Sequence, residues 1–288
     1  MNQQSPEDRF VEKATRLTLL LCALFSSFVV LTILAFLFYF MSPVILDGQF
    51  MALFGTVWNP SSGYFGIVPM IAGSVCVSFT AVAIAYPLAT GISLFCNGIG
   101  PPWISNKLIL LMEFITCVPT VVYAFVSALL LAPMLRTFFQ QGTGFSWLAA
   151  SLTLSILALP TIALMINTGI REANEKFSIV TLSLGMTPAQ SLIWVVIPQA
   201  KAGFVVGFVM GAARAIGDTI ISLMLAGNAA QFPHSILDST RTLTAHIALV
   251  VATDPNSLAY HSIFLCGLIL FMISAMTNIG LRLVAKSP

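Results

Sequence analysis

Of the 288 residues, 58% are hydrophobic and only 8% are charged, a balance that excludes a water-soluble domain of this size and makes the chain an integral membrane protein. A formal net charge of +2 with no basic patch gives no basis for nucleic-acid binding. No charged residue lies between Arg16 and Asp47 or between Asp254 and Arg282, and each gap exceeds the roughly 20 residues a spanning helix needs. Such spans are helices, because lipid leaves every backbone group to be satisfied within its own segment.

In chain order, Arg9, Lys13 and Arg16 precede the apolar run Leu17–Met41. That run is too long for the apolar region of a signal peptide, about 7–15 residues, and reads as an uncleaved first span. Pro43, Asp47, Gly48, Trp58, Asn59, Pro60 and Gly63 mark an external loop with a short interfacial piece. The second span, 66–96, carries Pro87 and Gly91, which predict a long, tilted or kinked helix; it ends at Asn97, Gly98, Gly100, Pro101 and Pro102. A third span is expected over 107–135, interrupted by Pro119, with Glu113 in its first turns as a snorkelling or gating acid. The fourth covers 147–169 with Pro160 inside, and Arg171, Glu172, Glu175 and Lys176 beyond it must lie outside the hydrocarbon.

Residues 177–200 lack charge, but Ser183, Gly185, Thr187, Pro188 and Gln190 leave their apolar runs too short to cross, so this piece is read as cytoplasmic. The fifth span is 201–225. In the loop that follows, Leu243–Ala252 is long enough only for an interfacial or re-entrant segment, and the sixth span is 258–281. Trp58, Tyr64 and Trp147 fit external interface anchors. The five scattered cysteines read as small core residues, and His234, His246 and His261 have no metal-ligand spacing.

With six spans and both termini cytoplasmic, Arg9, Lys13, Arg16, Lys107, Arg171, Lys176, Lys201, Arg282 and Lys286 lie inside, against Arg136 and Arg241 outside. Nine against two obeys the positive-inside rule, and making 177–200 a seventh span would reverse the last three.

The stretch 203–218, GFVVGFVMGAARAIGD, organises the rest. Read as one helix, it places Gly203, Gly207, Gly211, Arg214 and Asp218 within roughly an 80° arc. Glycines four apart admit another helix at backbone distance, while an Arg and an Asp in hydrocarbon must face protein or water. Either the two charges neutralise each other, or the face lines an anion path, in which the planar guanidinium matches an oxyanion.

No GxxxxGK[ST] phosphate loop occurs, so ATP-driven transport would require an ATPase on another chain, docked on the loop 171–200. That loop, REANEKFSIVTLSLGMTPAQSLIWVVIPQA, resembles the EAA-type loop of binding-protein-dependent ABC importer permeases. Gly185 and Pro198 stand thirteen apart, with Val195 and Ile197 at the apolar positions, whereas Ile179, Val180 and Thr181 replace Glu-Ala-Ala. FGTVWNPSSGYFGIVPMIAG (54–73), EFITCVPTVVYAF (113–125), LPTIALMI (159–166), ARAIGDTIISLMLAGN (213–228) and RTLTAHIAL (241–249) are similar to the C-type permease subunit of the phosphate-specific ABC importer. In this resemblance, which covers about 50–285, Arg214 to Thr219 match an Arg-Ala-Leu-Gly-Glu-Thr pattern, with Asp218 in place of Glu.

The resemblance implies an all-α membrane protein with six transmembrane helices of the type I ABC importer permease fold. Residues 1–65 would form the N-terminal tail, first helix and external loop, and 66–285 the permease core. Arg214, Asp218 and Thr219 would line the substrate path, Gly203, Gly207 and Gly211 would pack helices, and Gly185, Thr187, Pro188, Ile197 and Pro198 would form the ATPase-coupling loop. The implied partners in the bacterial inner membrane are an A-type permease subunit, two ATPase subunits and a periplasmic phosphate-binding protein. The chain itself would hold no cofactor or metal and catalyse nothing, ATP and Mg being bound by the partner ATPase. Permeation of another oxyanion (molybdate, tungstate or sulfate) and a proton-coupled secondary transporter using Glu113, Asp218 and Arg214 are the alternatives. No Ser/His pair, carboxylate dyad or His-rich cluster inside the spans points to an intramembrane enzyme.

Overall fold

The computed structural model describes residues 6–286, an almost wholly helical chain. The first helix, α1, runs Pro6–Leu46 and touches the rest mainly through its last turns, where Phe40, Met41 and Val44 pack against α12 (Leu258–Lys286) and its neighbours. A short 3-10 turn, Phe50–Phe54, leads to a hairpin of two tiny strands, β1 (Trp58–Asn59) and β2 (Tyr64–Phe65), paired Trp58 with Phe65 and Asn59 with Tyr64. The hairpin caps one end of the bundle.

Helix α2, Val68–Leu94, carries Pro69 in its first turn, where the missing N–H costs nothing, and relaxes into a π-turn over Phe95–Ile99. The expected third span divides. Val118, extended as a residue before proline tends to be, ends α3 (Pro102–Cys117), and Pro119 precedes α4 (Thr120–Val126). A π-turn, Ser127–Leu131, then joins α4 to α5 (Ala132–Phe139), so the apolar stretch long enough to cross is Thr120–Phe139 and not 107–135. Glu113 therefore sits exposed on α3, which at 16 residues is too short to span.

The centre of the bundle is α6, Trp147–Ser183, capped by the Ser146 hydroxyl accepting from the Ala149 N–H. The helix that carries the expected fourth span runs on beyond 169, past Arg171 and Lys176, and its 37 residues reach roughly 55 Å, longer than the span itself needs. Three short pieces follow: α7 (Pro188–Ser191), a π-turn (Leu192–Val196) and α8 (Ile197–Gln199). They meet α9 (Lys201–Gly217) at a 65° bend. Next come α10 (Ile220–Leu225), a loop, α11 (Leu243–Val250) and α12. The eight residues of α11 have the length expected of a re-entrant or interfacial piece. Five helical stretches are long and apolar enough to cross, six if the bent pair 188–217 is counted as one span.

Helices α2, α6 and α9 form the packed heart. One cluster, with Ala85, Ala89, Ile162, Ile166, Ile170 and Val196, lies toward the end bearing residues 184–200; another, with Val77, Ala81, Leu154, Ile221 and Leu225, lies toward the hairpin end. Small residues on α2 face branched ones on α6, which brings two helix backbones close where burial of apolar surface from water cannot drive the association.

Candidate functional site

The glycine stripe of α9 is spent on α6. A Cβ placed on Gly203 would stand 2.9 Å from the Cα of Gly169, and one on Gly207 would stand 2.9 Å from Ile166 Cγ1. One on Gly211 would overlap the Ile162 side chain. The two backbones thus touch at Gly169 and Gly203.

The two charges of the stripe form no ion pair. Arg214 lies on an exposed part of α9, and the ion pair Arg171–Glu175, 3.4 Å apart and open to solvent, is the only salt bridge among the described residues. Arg214 and Asp218 therefore do not neutralise one another by direct contact. Asp218 is not on the helix either: its extended backbone (φ −77°, ψ 119°) ends α9, and its Oδ1 accepts the N–H of Ile221 at 2.8 Å. It caps α10 from a site only 8% exposed, so the span expected over 201–225 is broken at Asp218 and Thr219. The five-residue arc drawn from one helix fails at its last member for that reason.

The break is buttressed by the start of α11. The Ala245 N–H donates to Thr242 Oγ1 at 3.2 Å, the Thr242 and Thr244 hydroxyls lie 3.1 Å apart, and Thr244 donates to the carbonyl of Asp218 at 3.2 Å. Ser74 of α2 accepts the Leu243 N–H at 2.8 Å. Thus α2, the α9–α10 break and α11 share one polar junction. Beside it, buried His246 lies 3.1 Å from Ser262 Oγ, with the Trp58 ring edge-on at 4.3 Å between centroids.

At the opposite end, Gly185 turns the chain with φ +68°, a backbone that side-chain-bearing residues rarely adopt. Thr187 and Gln190 close a capping box: the Thr187 hydroxyl accepts from the Gln190 N–H at 3.3 Å, and the Gln190 side chain accepts from the Thr187 N–H at 2.9 Å. Pro188 occupies the first helical position. Ile197 is half-buried and Pro198 exposed on α8. A cavity of about 220 Å³ under this turn is lined by Asn97, Asn174, Ser178, Thr181 and Ser191 among others. Ile179, Leu182 and Leu184 around it are exposed, so apolar side chains stand where an acidic start was expected to be missing.

Several structural residues went unread in the sequence. Trp147 is not a free interface anchor, since its Nε1 donates to the Cys76 carbonyl and Thr80 Oγ1, both at 3.0 Å, tying α6 to α2. The Asn97 amide bonds Asn167 Oδ1, and Ser93 donates to the Ala163 carbonyl at 2.9 Å, joining the same pair of helices near the other end. Cys22 and Cys117 are exposed and only Cys266 is fully buried, so the cysteines are not uniformly core.

Residues 89–287 match the model of the family described as "Binding-protein-dependent transport system inner membrane component". The chain is 31% identical over 232 residues to "Probable ABC transporter permease protein YqgH" of Bacillus subtilis, covering 80% of this chain and 75% of that protein. It is 25% identical over 246 residues to "Phosphate transport system permease protein PstC" of Pasteurella multocida, covering 79% and 77%. Among solved structures, a bacterial ABC transporter importing the polysaccharide alginate superposes with a TM-score of 0.57 at 14% identity, over 96% of this chain and all (100%) of that one. The inward-facing MetNI methionine ABC transporter superposes with a TM-score of 0.55 at 17% identity, over 76% and 94%. The chain belongs to the binding-protein-dependent transport inner membrane component family, a multi-pass membrane protein with the type I ABC importer permease fold.

Proposed function

We propose that this chain is the permease subunit of an ATP-driven importer that carries inorganic phosphate inward, with both termini and residues 184–200 on the cytoplasmic side. The observation that carries the reading is Arg214, a guanidinium exposed on the bundle with no carboxylate within ion-pair distance among the described residues, one turn before a break in its helix. An unpaired Arg in a membrane-spanning segment is costly unless it faces water or an anion, and its planar fork suits a phosphate oxyanion. Relatives named as phosphate permeases, 24 to 26% identical in several bacteria, support the choice of anion.

In this reading Arg214 and Thr219 face the path, and Asp218 serves it from behind by shaping the break. A second, A-type permease subunit closes the path on the open side of α9, and a periplasmic phosphate-binding protein delivers substrate at the hairpin end. Two ATPase subunits, which hold ATP and Mg, grip the turn from Gly185 to Pro198. Exposed Ile179, Leu182 and Leu184 supply an apolar contact there in place of an acidic one. Residues 66–285 then act as the permease core and 1–65 as its leading helix and external cover. The proton-relay alternative loses support because Glu113 stands on α3, outside the span, and α3 packs chiefly on α6.

The test is radiolabelled phosphate uptake by cells expressing the chain with its partner subunits, comparing wild type with Arg214→Gln at equal membrane abundance. Uptake by wild type and none by the variant is expected. Equal uptake by both would make Arg214 structural, and uptake of molybdate or sulfate alone would change the substrate.

A further inference from the structure

Arg241 is a second arginine without a counter-charge. It is half-buried in the loop between α10 and α11, and its Nε donates to the Asn228 carbonyl at 2.9 Å. Its two terminal nitrogens make no hydrogen bond or ion pair among the described residues. Three carboxylates of the neighbouring elements are engaged elsewhere. Asp238 Oδ2 accepts the N–H groups of His234 and Ser235, both at 2.8 Å, and Asp254 Oδ1 accepts that of Asn256 at 3.0 Å. Asp218 is committed to Ile221. A guanidinium taken partly out of water and left unpaired is an expensive arrangement, and its free fork is the part that grips an oxyanion.

Its position gives that fork a use. Arg241 lies between Thr240, buried beside α2, and Thr242, the cap of α11. Three residues on, Thr244 donates to the carbonyl of Asp218 at the break. Arg214 precedes the break by one turn of α9, and Arg241 leads into α11, whose Thr244 holds the far side of the break, so the two arginines are joined through the same interruption. We propose that Arg241 is an anion-binding residue of the transport path, a separate outer station that holds phosphate before it passes the break to Arg214. The inference rests on the phosphate-permease reading and adds a site to it.

The assembled complex, purified in lipid nanodiscs, is titrated with radiolabelled inorganic phosphate at low salt, and uptake is measured in proteoliposomes. Arg214→Gln is expected to retain a weak phosphate site that Arg214→Gln/Arg241→Gln lacks. Arg241→Gln alone should lower uptake about tenfold, the loss of roughly one charge-assisted hydrogen bond, with complex yield unchanged, and Arg241→Lys should recover most of it. The inference is overturned if Arg214→Gln by itself removes all binding, if Arg241→Gln transports like wild type, or if Lys and Gln both reduce yield and uptake equally. Should wild type bind and carry only molybdate or sulfate, the phosphate reading fails separately, and the same variants decide the role of Arg241 with that anion.

Discussion

Replacing Gly203 with Ala tests whether the α6–α9 contact holds the bundle together. The new Cβ would stand 2.9 Å from Gly169 Cα. Carbon atoms prefer about 3.5–4.0 Å, so the two helices must part by roughly 0.6–1.1 Å. Overpacking of that kind costs about 1–3 kcal/mol, and the movement also loosens the contacts of Gly207 and Gly211 with Ile166 and Ile162. Gly91→Ala on α2 is the control, because a Cβ there meets nothing within 4 Å. Equilibrium unfolding of the purified chain in mixed micelles reads both. The expected order is Gly91→Ala at or about 0.5–1 kcal/mol above wild type, from helix propensity alone, with Gly203→Ala well below Gly91→Ala, and Gly169→Ala/Gly203→Ala falling short of the sum of its parts because both methyls open one gap. A Gly203→Ala protein within about 0.5 kcal/mol of Gly91→Ala would refute the reasoning, since the same helix-propensity gain with no clash cost is incompatible with backbone contact.

Two further outcomes are expected. Thr187→Ala removes half of the capping box and costs about 1 kcal/mol locally, so amide exchange over residues 187–191 should quicken while exchange in α2 stays as it was; unchanged protection at Gln190 would show that the box contributes nothing. Asp238, which accepts two backbone N–H groups, has its carboxyl held below the ordinary carboxylate range chiefly by those bonds. A group depressed in the folded state contributes order that is present above its unfolded pKa and is lost as pH falls through the folded one. Protection of the His234 and Ser235 amides should therefore be full at neutral pH and fall on acidification below the usual Asp range, and Asp238→Asn should lower it at all pH values; protection indifferent to both would sink the assignment.

What the sequence disclosed and what it withheld divide along physical lines. Composition and charge-free gaps reveal membrane spans because the bilayer imposes length and apolarity on each segment separately. The glycine spacing of α9 marked a close-packing face, but a helical face does not name its neighbour, and Ile162, Ile166 and Gly169 emerged only from the fold. The Arg214–Asp218 spacing misled because four residues imply one turn only while the helix lasts. Asp218 followed by Thr219 is a pattern of N-capping residues, and that signal was available against the helical one. The third span lies later than the apolar run alone indicates because the extended residue before Pro119 separates two helices, and a run of apolar residues does not show where the chain turns between them. Inter-helix ties such as Trp147 to Cys76 and Thr80 join residues about seventy positions apart and leave no local pattern.

The uninterrupted course of α6 has a mechanical consequence. From the closest backbone approach at Gly169 to its end at Ser183, the helix extends roughly 21 Å without a joint, so a tilt of about 10° pivoting there swings the turn that follows Ser183 by about 4 Å. The adjoining α9 meets that turn across a 65° bend, so the same push reaches it as a change of angle and not as a thrust along its axis. One glycine pair thus sits where a lever would have its fulcrum, with the load arm ending at the turn from Gly185 to Pro198 and the other arm running up beside the segment that bears Arg214.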